Sequence, residues 1–470
     1  MTTDRRLLVL DDDPTGSQCV AGVDVVLGPD AALAAAALAE PGSTCFVLTN
    51  SRSLEEAEAA GLAAELVDGV IAAGVDPASL HVVSRSDSTL RGHVIAEPAA
   101  IAAALAHHGR EVDGILLVPA MIEAGRTTAH GTHVALVQGE RLPVAQTDFA
   151  RDATFGYTRS DLPGFLEERS GGAVPAPEVL RVDLEDIRGG GADRVEEILG
   201  AARGGRWIAV DAEEYADLEV VAEAVTRLEA SGRTLLTRCA PSFVRPLAGQ
   251  RGARVLTAED LEVPADRAGH GLVVVGSHVG LTTRQLGVLQ ERGGHAEVEL
   301  SVPALLDPLT RGTHLREALE AVRAALREQD VVLSTSRDLV RGQDGADSLA
   351  IARSVSDAVV ELVAALRADR PSWVVAKGGI TSHEVAASGL GIRRAVVAGQ
   401  FFPGQISLFT PREAPPEVLG MPYVVFPGNV GGDDALAEVV ERLRAATPTA
   451  STPTSTSTST STTTDGARHA

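Results

Sequence analysis

The sequence predicts an α/β fold of two domains with largely parallel sheets, an inter-domain cleft and a disordered C-terminal tail. Short β-branched runs alternate with Ala- and Leu-rich helical patterns, as parallel strands joined by crossover helices require. The apolar runs repeatedly close on small or polar turns, and open α/β sheets hold their ligands at those carboxyl ends. A polar stretch poor in periodic apolar residues, "LTAEDLEVPADRAGHG" at 256–271, divides two such series. The expected units are residues 1–257, residues 271–446 and a tail over 447–470, whose Ser/Thr/Pro repeats have nothing to bury.

Composition narrows the class. At 470 residues, 44% hydrophobic and 22% charged, the chain reads as globular with a sizeable core. No apolar run approaches the length of a bilayer span. Arg5 and Arg6 precede only Leu7–Leu10, too short an apolar segment for a signal peptide, so cytoplasmic residence is expected. Cys19, Cys45 and Cys239 are too scattered for a disulfide framework or a thiolate zinc site. A net charge of −23 argues against nucleic acid and anionic membrane as partners, while small anionic ligands stay open. Oligomeric state is undetermined, a homodimer among the options.

In the first half, strands are expected at Leu7–Leu10, Val23–Leu27, Cys45–Leu48, His81–Val83, Ile115–Val118, Trp207–Val210 and Leu235–Thr237. Several run into polar loops. The first ends on Asp11, Asp12 and Asp13, three carboxylates that repel one another unless they meet water, a cation or a hydrogen-bonding substrate. In a kinase one would accept a hydroxyl proton and another would help hold Mg2+; the plainer alternative is a solvated strand end with Asp13 capping a turn. The loop "SRSDSTLRGH" gathers Ser84, Arg85, Ser86, Asp87, Ser88, Thr89, Arg91 and His93. An arginine among hydroxyls suits a polyol that bears a carboxylate, and Asp87 is a second candidate base. The alternative is a helix start rich in caps. "GRTTAHGTHVAL" adds Arg126, His130 and His133, with no further ligand at metal spacing, so the histidines read as satisfied or substrate-contacting.

In the second half, "GLVVVGSH", "DVVLSTSR", "WVVAKGG", "RAVVAGQ" and "YVVFPGNVGG" repeat one grammar, an apolar strand closing on a small or polar turn. Lys377 is the only lysine among 41 Lys and Arg residues, so it stands where arginine would not serve. It precedes Gly378-Gly379, a turn whose N–H groups can approach a ligand closely. Thr381 and Glu384 fit a capping box for the following helix, making this an expected anion site in which a compact ammonium reaches phosphate oxygens. The alternative is an ordinary surface cation. The loops after Val275 and Phe426 share the pattern, but neither the GxxxxGK[ST] phosphate loop nor the GxGxxG fingerprint is present.

Together "DDDPTGSQ", "SRSDSTLRGH", "GRTTAHGTHV", "VVGSHVGLTTRQ", "AKGGITSHEVAASGLG", "PGQISL" and "PGNVGGDDAL" resemble, in this order, the four-carbon acid sugar kinase family. The resemblance covers nearly the whole chain up to about Arg444. It implies an N-terminal domain for a sugar acid such as 3-oxo-tetronate, threonate or erythronate, and a C-terminal domain for ATP with Mg2+. It places Asp12, Asp13, Arg85, Asp87, Ser88 and Arg126 on the acid, and Ser277, Gly378, Gly379, Ile380, Thr381, Gly428 and Gly431 on ATP. Two departures stand out: Pro14 follows the aspartates where better-known members carry an aromatic residue or Leu, and Ile380 replaces a Glu.

The expected chemistry is transfer of the γ-phosphoryl group of ATP to a terminal hydroxyl. Asp13 or Asp87 would orient that hydroxyl and Lys377 would neutralise phosphate charge. A regulator that binds both ligands without turnover is the rival. An oxidoreductase would need the missing fingerprint, and a Schiff-base aldolase would need Lys377 buried with a lowered pKa.

Overall fold

The computed structural model describes residues 4–447 apart from 14–16, 18, 268, 338–339 and 341–344. The expected tail from 448 onward, and Pro14, lie outside the described residues. The first half contributes β1 (Arg6–Asp11), β2 (Val23–Val26), β3 (Thr44–Leu48), β4 (Leu80–Arg85), β5 (Gly114–Val118), β6 (Arg126–Ala129), β7 (Thr132–Val137), β8 (Glu140–Pro143), β9 (Leu180–Val182), β10 (Arg206–Val210) and β11 (Leu235–Cys239). The second contributes β12 (Leu272–Val275), β13 (His295–Leu300), β14 (Asp330–Thr335), β15 (Val374–Lys377), β16 (Arg394–Phe402), β17 (Gln405–Glu413) and β18 (Tyr423–Phe426).

Every strand expected in the first half forms, shifted by two residues at most. The strands that were not expected include β9 and β13, which lie at the two edges of the sheet, and the small antiparallel sheet β6–β7–β8. Their partly exposed, polar residues dilute the apolar run that marks an interior parallel strand; β13, for instance, reads HAEVEL.

Fifteen strands form one sheet in the order β13-β14-β12-β15-β18-β17-β16-β2-β3-β1-β4-β11-β5-β10-β9. From β13 to β18 and again from β2 to β9 all neighbours are parallel. The two parallel blocks are joined by antiparallel pairings of β18 with β17, β17 with β16, and β16 with β2. The two domains thus share a sheet, with Arg394 opposite Val26 and Val397 opposite Val23 at the junction.

Three antiparallel steps reverse one block relative to the other, which in a flat sheet would send their carboxyl ends to opposite edges. Strand twist of roughly 20–25° per step accumulates to roughly 100° or more over the five steps from β18 to β1. The carboxyl-end loops of both blocks accordingly line one cavity. Helices cover both faces: one apolar cluster runs across both domains, from Leu7 and Val118 to Val274 and Tyr423, and the opposite faces carry separate clusters.

One local expectation is corrected. The helix after β15 starts at Gly379 with Gly378 as its cap, and no side-chain cap is made. Gly378 sits at φ 126°, which glycine alone adopts readily, so the chain turns straight from strand to helix before Thr381 can cap it.

Candidate active site

The acid-side residues sit at the carboxyl ends of β1, β4 and β5, with β3 and β11 beside them. Asp11 Oδ1 accepts from Arg85 Nη1 at 2.6 Å. Asp12 Oδ1 accepts from Arg52 Nη2 at 2.5 Å, and Arg238 Nη2 stands 3.9 Å from its other oxygen. Arg52 Nη1 also lies 3.5 Å from Asp13 Oδ2. The mutual repulsion of three adjacent carboxylates is thus offset by arginines from three other segments. Burial raises the Asp11 carboxyl to about 7 against the pull of Arg85. It raises Asp12 too, opposed by Arg52 and Arg238.

Asp87 behaves differently. Burial pushes its carboxyl up, but Arg52 and Arg91, with the Thr89 hydroxyl, outweigh burial and hold it at about 2. Arg91 Nε donates to Asp87 Oδ2 at 2.7 Å. Arg126 Nη1 donates to Ser88 Oγ at 2.7 Å, and the Arg126 and Arg91 guanidinium groups both lie over the Phe149 ring. His133 is satisfied within the fold: Nε2 donates to the Ser88 carbonyl at 2.8 Å and Nδ1 accepts from Thr128 Oγ1 at 2.9 Å. Burial draws its imidazole down to about 4, which keeps it neutral.

Several of these groups wall a cavity of about 300 Å3. Asp13, Arg52, Arg85, Asp87, Ser88, Arg91 and Arg126 line it from the N-terminal domain. Gln405, Pro427, Asn429, Val430 and Gly431 line it from the C-terminal domain. Asp12, buried behind Arg52, is not part of the wall. Arg52, Phe149, Gln405 and Asn429 were not singled out from the sequence; the loop "TNSRS" after β3 was the one available signal for Arg52.

In the C-terminal domain the loops after β12, β15 and β18 converge. Thr282 Oγ1 donates to the Gly428 carbonyl at 3.0 Å and stands 3.1 Å from Ser277 Oγ. A Cβ on Gly428 would lie 2.8 Å from Ser277 Oγ, and one on Gly378 3.1 Å from Ser277 Cβ. Gln285 Nε2 donates to the carbonyls of Val430 and Gly432, shaping the last glycine turn. A second cavity, of about 470 Å3 and mostly apolar, opens on the far side of these loops. Gly276, Ile380 and Thr381 line it together with Val302, Ile351 and Val355. Ile380 is 70% exposed, at its mouth. Gly431, in contrast, faces the polar cavity.

Lys377 has partners other than the phosphate oxygens expected of it. It is fully buried, Nζ donates to the Pro427 carbonyl at 2.7 Å and to that of Gly428 at 3.2 Å, and it lies 3.9 Å from the Phe426 ring centroid. Burial draws its ammonium down to about 7. Burial with a lowered pKa is the condition set above for a Schiff base, but this Nζ is engaged by two carbonyls and Lys377 lines neither cavity.

The fold and site define a two-domain α/β protein with a charged cavity walled by both domains and a second, mostly apolar cavity in the C-terminal domain. Family models agree: a sugar-binding N-terminal domain matches residues 7–247 and a nucleotide-binding C-terminal domain matches residues 272–436. The chain belongs to the four-carbon acid sugar kinase family. Among curated proteins it is similar to a D-threonate kinase of Cupriavidus necator, 32% identical over 273 residues, covering 56% of this chain and 58% of that one. It is also similar to a D-erythronate kinase of Heliobacterium modesticaldum, 29% identical over 270 residues, covering 56% and 54%. The chain thus spans a little over half the length of the curated relatives it matches. The fold recurs in a Salmonella typhimurium LT2 protein described as a tRNA synthase, at 17% identity, TM-score 0.69, 92% of this chain and 98% of that one. It recurs in a Haemophilus influenzae protein at 19% identity, TM-score 0.65, 93% and 99%. Among the described residues no helix is long and apolar enough to cross a membrane.

Proposed function

We propose that the chain is an ATP-dependent kinase that phosphorylates a terminal hydroxyl of a four-carbon sugar acid of the threonate, erythronate or 3-oxo-tetronate type. The observation that carries the reading is the polar cavity, where arginines and carboxylates of the sugar-binding domain face the Pro427–Gly431 turn of the nucleotide-binding domain. Arg126 and Arg85 offer guanidinium groups to the substrate carboxylate, and Ser88 a hydroxyl. The second, apolar cavity beyond the glycine loops suits a nucleobase, with Ser277, Gly378, Gly379, Ile380, Thr381 and Gly428 along the phosphate path.

In the reaction the acceptor hydroxyl oxygen forms a bond to the γ-phosphorus while the bond from that phosphorus to the β–γ bridging oxygen breaks, releasing ADP. Mg2+ enters with ATP as part of that substrate. Two carboxylates, Asp13 and Asp87, belong to the cavity wall. Asp87, held at about 2, is a poor proton acceptor and serves to orient the hydroxyl. Asp13 is the assigned acceptor of the hydroxyl proton. Lys377 supports the phosphate-facing turn through its carbonyls. Catalysis then rests on positioning and charge stabilisation more than on covalent chemistry.

The test is ADP release from Mg·ATP by the purified protein, with D-threonate, L-threonate, both erythronates and 3-oxo-tetronate supplied in turn. Release that depends on one acid identifies the substrate. Nucleotide binding without release on any acid overturns the kinase reading.

A further inference from the structure

The polar cavity draws its charges from one domain and its neutral amides from the other. Gln405 and Asn429, both from the C-terminal domain, are the carboxamides in its wall. Gln405 opens β17 at the turn of the β16–β17 hairpin, opposite Phe402. Its amide makes no hydrogen bond within the protein among the described residues.

Both flanks of Gln405 are fixed. On one side a Cβ on Gly404 would collide with Glu123, a side chain held by Tyr215, Ser242 Oγ at 2.7 Å and Arg245 Nη2 at 2.7 Å. On the other side Ile406 is buried at φ 57°, a left-handed conformation disfavoured for a β-branched residue. Its Cδ1 lies 3.7 Å from where a Gly431 Cβ would stand, against the turn that lines the cavity. Backbone held in a sparsely populated region persists where its surroundings over-determine it, and such positions cluster at ligand sites. The hairpin turn is therefore clamped between the sugar-binding domain and the Gly431 turn, with Gln405 in the cavity wall. An amide that both donates and accepts suits a substrate hydroxyl, whereas the surrounding arginines suit a carboxylate.

We infer that Gln405 reads the hydroxyl pattern of the sugar acid from the nucleotide side of the pocket, and so sets discrimination between acids of different configuration. The inference rests on the kinase reading above. Removing a hydrogen bond to a substrate hydroxyl typically weakens binding by about tenfold.

The experiment compares the parent chain with Gln405→Ala and the isosteric Gln405→Glu. D-threonate and D-erythronate binding is measured by calorimetry, and kcat and KM by ADP release. Both variants are expected to raise Kd and KM for the preferred acid about tenfold, Gln405→Glu more because it adds a negative charge beside an anionic substrate. Both should compress the kcat/KM ratio between the two acids at least about threefold, with KM for ATP within about twofold and the unfolding midpoint unchanged. Unchanged acid Kd and unchanged selectivity overturn the inference. So does an equal loss for both acids and ATP with a lowered unfolding midpoint, which would mark a structural turn residue. Acid binding by the parent without ADP release sinks the kinase reading alone, and the Kd comparison still decides Gln405. A parent that binds none of the five acids named above overturns both.

Discussion

Lys377 Nζ donates to the Pro427 carbonyl at 2.7 Å, so the one lysine of the sequence ties the strand that precedes one glycine turn to the start of another. A single ammonium fits between two carbonyls and the Phe426 ring; a guanidinium in the same sealed space is wider and brings donors that would find no acceptor. Lys377→Arg is therefore expected to destabilise the fold by about 1–3 kcal/mol through overpacking, and to lower kcat/KM for ATP by about tenfold or more. Urea unfolding and ATP kinetics of the variant check both. Parent-like values in each would remove the steric reason for a lysine here.

The same group makes stability depend on pH. Its folded-state pKa, about 7, lies below the ordinary lysine value of 10.5, so between those values the unfolded chain binds the extra proton. Unfolding free energy should rise with pH across that window, by about 3 kcal/mol from this group between pH 7 and pH 9.5. The comparison is the parent with Lys377→Met, by denaturant unfolding at pH 7 and pH 9.5. The parent's gain on raising the pH should exceed the variant's, and parallel curves would mean the ammonium is not penalised by burial.

Asp13 and Asp87 share a cavity wall but are assigned different work. Asp13→Asn should cut kcat by about 100-fold or more with acid KM changed only a few-fold, as expected for loss of a base. Asp87→Asn should raise acid KM as well, because its carboxylate orients the substrate and organises Arg91. Steady-state kinetics of the two variants on the identified acid separate the roles. Identical profiles would show that no single carboxylate takes the proton.

Much of this site was legible because its residues directly follow apolar strands: Asp13 after β1, Asp87 after β4, Ser277 after β12 and Gly378 after β15. An interior parallel strand announces itself by a run of buried β-branched residues, and the loop at its end is then found by position alone. Arg52 was missed because it lies in a short turn beyond β3, where only its contact with Asp12 distinguishes it from any surface arginine. Gln405 was missed because what brings it to the acid pocket is a hairpin from the other domain. The surroundings of Lys377 were misjudged for a related reason. Its neighbours in sequence are glycines, whereas its partners in space are Pro427 and Gly428, fifty residues away.

Arg52 and Asp12 offer a test of structure against chemistry. Asp12 is buried, and Arg52→Ala leaves it, among the described residues, with only the more distant Arg238 as a cationic partner. The expected loss is about 2–4 kcal/mol of stability together with activity. Adding Asp12→Asn to Arg52→Ala should recover a good part of the stability by removing the buried charge, yet leave acid KM high because the cavity has lost a cation. Full recovery of activity in the double variant would make Arg52 a purely structural counter-ion.

The pairing of β2 with β16 bears on how this chain can be dissected. The boundary between the two family matches suggests a cut near residue 260, yielding two independent modules. Such a cut would leave each fragment with a bare strand edge, β2 on one and β16 on the other, and would split an apolar cluster that runs through both. Exposed edges of that kind recruit other chains. Fragments made there should self-associate when expressed alone, and mixing them should reconstitute the full-length molecule in preference to two free halves.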